Sequence, residues 1–266
     1  MSTTSFRAHI EGISLWAPTL PGWPVASAVL RGERAAEPPH PMPVQHRLPM
    51  AERRRAPLTV TLSLAAAEEA VRASGRPAGA LQAVFASAHG DLPVIEELCR
   101  TLVHTPTQVS PTRFLHSIHN APAGVWSQFH RNHQANTAVS GAQHSFAQGL
   151  MEALVQCETE QRPVLFVAYD TAAPGALTHT TASRGSLAVA LVVAPQPGPH
   201  SLTRLDWMLE PLTCAIPALS TGAARTLQDN AMAPALPLFE ALAAQRPASL
   251  AWPLSPFQAL RLSLAG

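Results

Sequence analysis

The sequence predicts an α/β protein in which a sheet is covered by helices on both faces. Three observations predict it. Apolar runs of strand length occur at 81–87 (LQAVFAS), 163–169 (PVLFVAY) and 186–193 (SLAVALVV). Helix-forming segments rich in Ala, Leu and Glu, at 57–74 and 142–158, are interleaved with them. The chain is 266 residues long and 47% hydrophobic, enough for a sizeable core in one large domain or two small ones.

In chain order, residues 8–16 (AHIEGISLW) alternate and read as a strand. Residues 17–56 are Pro-rich and irregular, and include the basic run Arg53-Arg54-Arg55. Pro57 suits the first turn of the helix over 57–74. After the strand at 81–87, Asp91 is placed to cap a helix over 92–103. A helix over 118–132 is expected beyond the Ser110-Pro111 break. Residues 135–140 (ANTAVS) form a strand, and the helix over 142–158 sets Phe146, Leu150, Leu154 and Cys157 on one side. After the strands at 163–169 and 186–193 come weaker signals: a strand at 202–209, a helix near 234–244 and a strand at 258–264. No internal repeat is visible.

Composition excludes several functions. All eighteen basic residues are Arg, and there is no Lys. A Schiff-base lysine, a lysine general base and the P-loop lysine are therefore ruled out. A net charge of +1 with 13% charged residues leaves no basic excess for nucleic acid. Cys99, Cys157 and Cys214 are widely spaced and form no C-x-x-C pair, which points to a reducing cytoplasm rather than a disulfide framework. The opening MSTTSFRAHIEG lacks the apolar run of a signal peptide, and 186–194 is too short to span a bilayer.

Three groups could carry chemistry. The strand-turn-helix at 135–158 is the kind of turn where acyl-transfer enzymes place a nucleophile, because backbone N–H groups there favour negative charge. Here it reads Ser140-Gly141-Ala142-Gln143-His144-Ser145. Gln143 stands where a nucleophile is expected, and an amide only hydrogen-bonds. Ser140 and Ser145 are rivals without a surrounding G-x-S-x-G, and the ordinary role of such a serine is a cap or core hydroxyl. His116-x-x-His119 and His130-x-x-His133 have a spacing that suits a metal site, but no Cys or acid accompanies them; surface and loop histidines and no metal are expected. Arg53-Arg54-Arg55 reads as a solvated face or a contact for an acidic protein.

The order of these motifs resembles the N-terminal half of β-ketoacyl synthases, from residue 8 to about 195. The carriers are HIEGISLWAP, MAERRRAPLTVTLSLAAAEEAV, VFASAHGDLPVIEEL, VSPTRFLHSIHNAPAGVWSQF, NTAVSGAQHSFAQGLMEAL and RPVLFVAYD. Against the family's Ser-Thr-Ala-Cys-x-Ser pattern, Ser140, Ala142 and Ser145 match and Gln143 falls on the catalytic Cys. A Gln there is a habit of chain-length factors, the inactive partners of ketosynthases. The family's second half carries two catalytic histidines and a lysine, whereas this chain has no Lys and no His after His200. It is similar to the short subunits of aryl polyene-type clusters.

The resemblance implies a thiolase-like half, a mixed five-stranded sheet with helices on both faces, over residues 1–200. Residues 201–266 would be a short remnant on the same core. It implies a non-condensing subunit, with no catalytic residue and no cofactor, that pairs with an active β-ketoacyl synthase and shapes the pocket for an acyl chain held on acyl carrier protein. Phe114, Asn120, Gln143 and Phe146 are the candidate pocket residues, with ordinary core packing the alternative for the two Phe. In the family the strand at 135–140 pairs across a two-fold axis. The small and β-branched Asn136, Thr137, Ala138 and Val139 suit a strand edge open to another chain. Two other functions compete: a malonyl-carrier-protein decarboxylase using Gln143, and a homodimeric acyl-binding scaffold.

Overall fold

A computed structural model describes residues 5–45, 48–181, 183–213 and 215–265. The chain opens with β1 (Phe6–Ala17) and β2 (Leu20–Pro21), then α1 (Trp23–Leu30), α2 (Met50–Arg53) and α3 (Leu58–Ser74). Next come β3 (Gln82–Ala86), α4 (Leu92–His104), α5 (Pro111–Ser117), α6 (Ala121–His130), β4 (Asn136–Val139) and α7 (Ser145–Glu160). β5 (Val164–Asp170), β6 (Leu187–Ala194) and β7 (Thr203–Pro211) follow. α8 (Gly222–Arg225), α9 (Leu236–Ala244), β8 (Ala248–Pro253) and β9 (Gln258–Leu264) complete it.

The strands form one mixed sheet in the order β4-β3-β5-β6-β1-β7-β9-β8, with β2 paired to β1. β3 runs parallel to both β4 and β5, and every other pairing is antiparallel. The first five strands of that order are the expected mixed unit. The sheet continues past it, because β7 pairs along β1 and carries β9 and β8 with it.

Helices cover both faces, as predicted. One core gathers Val60, Leu64 and Ala67 of α3 and Trp126 of α6 against Phe85, Leu165 and Val167. The other gathers Phe146, Leu150 and Leu154 of α7, Leu238 and Phe239 of α9, and Val29 of α1 against Val84, Phe166 and Val189. β5 and β6 are buried along their whole length, which explains why they read as unbroken apolar runs. α3 lies close on β1: a Cβ at Gly12 would sit 2.0 Å from the Ala70 carbonyl oxygen. Gly75, at φ +67°, ends α3 in the left-handed conformation that favours glycine. Buried Glu11 accepts both arms of the Arg76 guanidinium at 2.7 and 2.8 Å.

Three local expectations change. The Pro-rich stretch 17–56 contains β2, α1 and α2, with Pro24 inside the first turn of α1 rather than breaking it. Ser110-Pro111 starts a helix not expected from the sequence, α5, the serine hydroxyl accepting the Arg113 N–H, and the helix expected over 118–132 is the shorter α6, Ala121–His130. β8 gave no clear signal because ASLAWP is short and ends in Pro. Asp91 caps α4 as expected, accepting the Val94 N–H at 2.9 Å, and also holds the Thr59 hydroxyl at 2.7 Å. No helix among the described residues is long and apolar enough to cross a membrane.

Candidate functional site

The turn between β4 and α7 is a tight one. Ser140 and Gly141 leave the strand, Ala142–His144 make a single 3-10 turn, and α7 starts at Ser145. Ala142 is held at φ +50°, an uncommon conformation for a residue with a Cβ. Ser145 is what holds it. Its fully buried hydroxyl donates to the Ala142 carbonyl at 2.7 Å and accepts the Gly141 N–H at 2.9 Å. A Cβ at Gly141 would lie 2.0 Å from the Gln148 Oε1, so a side chain there would displace the end of Gln148. Ser140 is exposed, and its hydroxyl donates to the Ala88 carbonyl at 3.3 Å.

Gln143 sits exposed at the tip of the turn, its amide nitrogen 3.2 Å from His144 Nε2. It lines a cavity of about 360 Å³ together with His89, Thr181, Ile216, Asp229 and Asn230. One wall is the loop after β3 and the opposite wall comes from the C-terminal segment. Beneath the first wall lies Asp170, at the end of β5 and wholly buried. Its carboxylate accepts from the Ser87 hydroxyl at 2.9 Å and from the Ala88 and His89 N–H groups at 2.8 and 3.3 Å. Burial pushes this carboxyl up to about 7, and the three hydrogen bonds oppose that rise only in part. Burial also lowers His89 from its ordinary value, so its imidazole tends to be neutral. Asn230 joins the walls, donating to the carbonyls of Asp170 at 3.3 Å and Arg184 at 3.0 Å.

The site presents the Gln143 amide, the His89 imidazole, the Thr180 and Thr181 hydroxyls and the Asp229 carboxylate around a half-open cavity. Ser145, the hydroxyl within the turn, is committed to the turn itself.

The structure does not bring the four candidate pocket residues together. Gln143 lines the cavity. Phe146 is a core residue, its ring 5.8 Å from Phe166 and 5.7 Å from Trp252, because α7 turns that side into the sheet. Phe114 is 57% exposed on α5, and Asn120 is exposed at the start of α6 with no side-chain capping bond. Asn136, Thr137, Ala138 and Val139 are all half-buried on β4, an outermost strand with β3 on one side and no strand on the other among the described residues. His119 bonds the Val139 carbonyl at 3.1 Å, while His130 packs on Trp126 at 4.0 Å with Glu68 at 3.6 Å. No cluster of three or more metal-binding side chains forms among the described residues. Cys99 is exposed and Cys157 buried, both as free thiols; Cys214 lies outside the described residues.

Asp170, His89 and Asn230 were not singled out from the sequence. Asp170 left a signal: a carboxylate closing the otherwise apolar VLFVAYD. Asn230 left none, since its role depends on loops far apart in sequence.

A family model described as "Beta-ketoacyl synthase, N-terminal domain" matches residues 27–254. The ketosynthase ApeO in complex with its chain length factor ApeC from Xenorhabdus doucetiae superposes with a TM-score of 0.71 at 21% identity, covering 99% of this chain and 100% of that one. The ishigamide ketosynthase/chain length factor gives 0.72 at 16% identity, covering 99% of each. AntDE:AntF, a type II polyketide synthase acyl-carrier protein in complex with its ketosynthase bound to the hexaketide, gives 0.75 at 10% identity, covering 98% and 99%. At these identities the likeness is one of fold. No curated protein matches the sequence.

Proposed function

The chain belongs to the β-ketoacyl synthase N-terminal-domain family, and on that premise we propose that it is a chain-length factor: a non-condensing subunit that pairs with an active β-ketoacyl synthase in the cytoplasm and helps shape the pocket for an acyl chain carried on acyl carrier protein. The observation that carries this is the turn. Gln143 stands at its tip, the Ser145 hydroxyl is tied at both its donor and its acceptor, and the Ser140 hydroxyl at the start of the turn donates to the Ala88 carbonyl. An amide forms no acyl-enzyme thioester, and in this reading neither serine serves as a nucleophile. The absence of Lys anywhere in the chain agrees with this. The solved ketosynthase/chain length factor pairs of matching fold and length support the pairing.

In this reading β4 is the heart of the interface, because its outer edge and its small, half-buried side chains suit pairing with another strand. Exposed Phe114, Leu115 and Ile118 of the α5 segment would extend the interface as apolar contacts. Phe114 and Asn120 would then reach the acyl pocket from the dimer surface rather than from within this subunit.

The test is co-expression with an intact ketosynthase of the same biosynthetic system, followed by size-exclusion chromatography. The expected result is a stoichiometric complex in which product length or yield depends on this subunit. A self-paired species that ignores the ketosynthase would favour a homodimeric scaffold instead. Incubation of the isolated subunit with acyl- and malonyl-carrier protein should leave no covalent acyl mass on the turn. An adduct on Ser145 or any neighbour would overturn the non-condensing assignment.

A further inference from the structure

The Arg53-Arg54-Arg55 run ends α2 and leads to a second concave region, which shares no lining residue with the Gln143 cavity. Two cavities of about 240 and 270 Å³ meet there and share Arg55, Thr112 and His116. The first has apolar walls from Leu48, Ala56, Val60 and Val125. Leu48 and Val60 are almost wholly buried, so those walls are fixed by the core. The second is a polar mouth edged by Arg54, Arg113 and Ser110.

The charge in the mouth is unbalanced. Arg113 is paired with Glu97 at 3.2 Å. Arg54 and Arg55 are both exposed and hold no ion pair or side-chain hydrogen bond among the described residues. Glu52 is the acidic side chain on the lining of the apolar cavity. His116 feels this field: burial lowers it from its ordinary value, the Arg113 charge lowers it further, and Asp91 pulls the other way.

We propose that this double cavity binds a small phosphate monoester with a short aliphatic chain, the phosphate against Arg54, Arg55 and His116 and the chain against Leu48, Val60 and Val125. Guanidinium groups present paired donors that match phosphate oxygens, and several of them around one mouth favour a dianion over a carboxylate. Apolar walls beside a few convergent polar groups are the usual make-up of a small-molecule site. The inference stands whether or not the chain partners a ketosynthase.

The experiment titrates the full-length chain with n-hexyl phosphate and, separately, with inorganic phosphate. The readout is the His116 ring signal in NMR, assigned through His116→Asn. Hexyl phosphate should saturate, bind about tenfold or more tightly than inorganic phosphate, and raise the His116 titration midpoint, since a nearby anion favours imidazolium. Arg54→Gln/Arg55→Gln should weaken hexyl phosphate about tenfold or more. Val125→Phe, which fills the apolar cavity, should reduce hexyl phosphate to the affinity of inorganic phosphate. Circular dichroism checks that each variant is folded, and Arg54→Gln alone replaces the double variant should that one unfold. Absence of saturation, equal affinity for the two phosphates, or wild-type binding by the folded arginine variant would overturn the proposal.

Discussion

Gln143 can be converted to a thiol without rebuilding the surrounding geometry, because Ser145 and the missing Cβ of Gly141 shape the turn independently of the residue at its tip. Gln143→Cys should therefore fold and alkylate with iodoacetamide, aided by the helix N-terminus. It should still yield no ketoacyl product when isolated, since the chain has no Lys and no His after His200 to assist decarboxylation. Mass spectrometry and a product assay check both halves. Asp170 makes a second prediction at this scale. Its carboxyl is held at about 7 in the folded chain against 3.8 when free. Between those values the folded state keeps a proton the unfolded state has lost. The contribution of Asp170 to stability is thus full below about pH 4 and falls by about 1.4 kcal/mol per pH unit as pH rises towards about 7. Asp170→Asn should remove that slope. The check compares urea midpoints of the two proteins at about pH 4.5 and about pH 7.5, where the variant should gain relative to wild type at the higher pH.

Among the elements, α7 and β4 do the positioning. α7 can press onto β3 and β5 because Gly149 has no side chain: a Cβ there would lie 2.5 Å from the Ala86 Cβ and 3.0 Å from the Phe166 ring. Neither neighbour is a flexible chain end. Gly149→Ala should cost about 1–3 kcal/mol, read from the denaturation midpoint. β4 offers its outer edge to a partner. Ala138→Arg, at the strand's centre, should leave the isolated subunit folded by circular dichroism. It should also abolish co-purification with the ketosynthase, because an unpaired guanidinium buried in an interface costs about 3–5 kcal/mol. A folded Ala138→Arg that still co-elutes at the wild-type ratio would place the interface elsewhere.

For the molecule as a whole, the C-terminal segment is part of the sheet and the core. β7 pairs along Phe6–Ile10 of β1, and Phe239 and Trp252 fill the α7 side. Trp252 also donates to the Pro234 carbonyl at 2.8 Å. Truncation after residue 200 should open the β1 edge and uncover that apolar face, giving insoluble protein. Recovery of a soluble product with wild-type circular dichroism would show that residues before 201 fold alone. The same segment supplies Ile216, Asp229 and Asn230 to the Gln143 cavity, so the site itself depends on this packing.

The sequence by itself determined the α/β class, the strands at β3, β5 and β6, the α3 and α7 helices and the amide at the turn. Those features rest on local patterns: apolar runs, helical periodicity and the order of short motifs. Only the tertiary structure decided that the sheet extends beyond five strands, that Phe146 is core while Phe114 is surface, and that Asp170 and Asn230 knit the cavity walls. The division has a physical cause. Strand and helix propensity act over a few neighbouring residues. The exposure of a ring, or the charge of a carboxyl, is set by which distant segment packs over it, and the strands after residue 200 acquire their place through successive pairings, β7 on β1, β9 on β7 and β8 on β9.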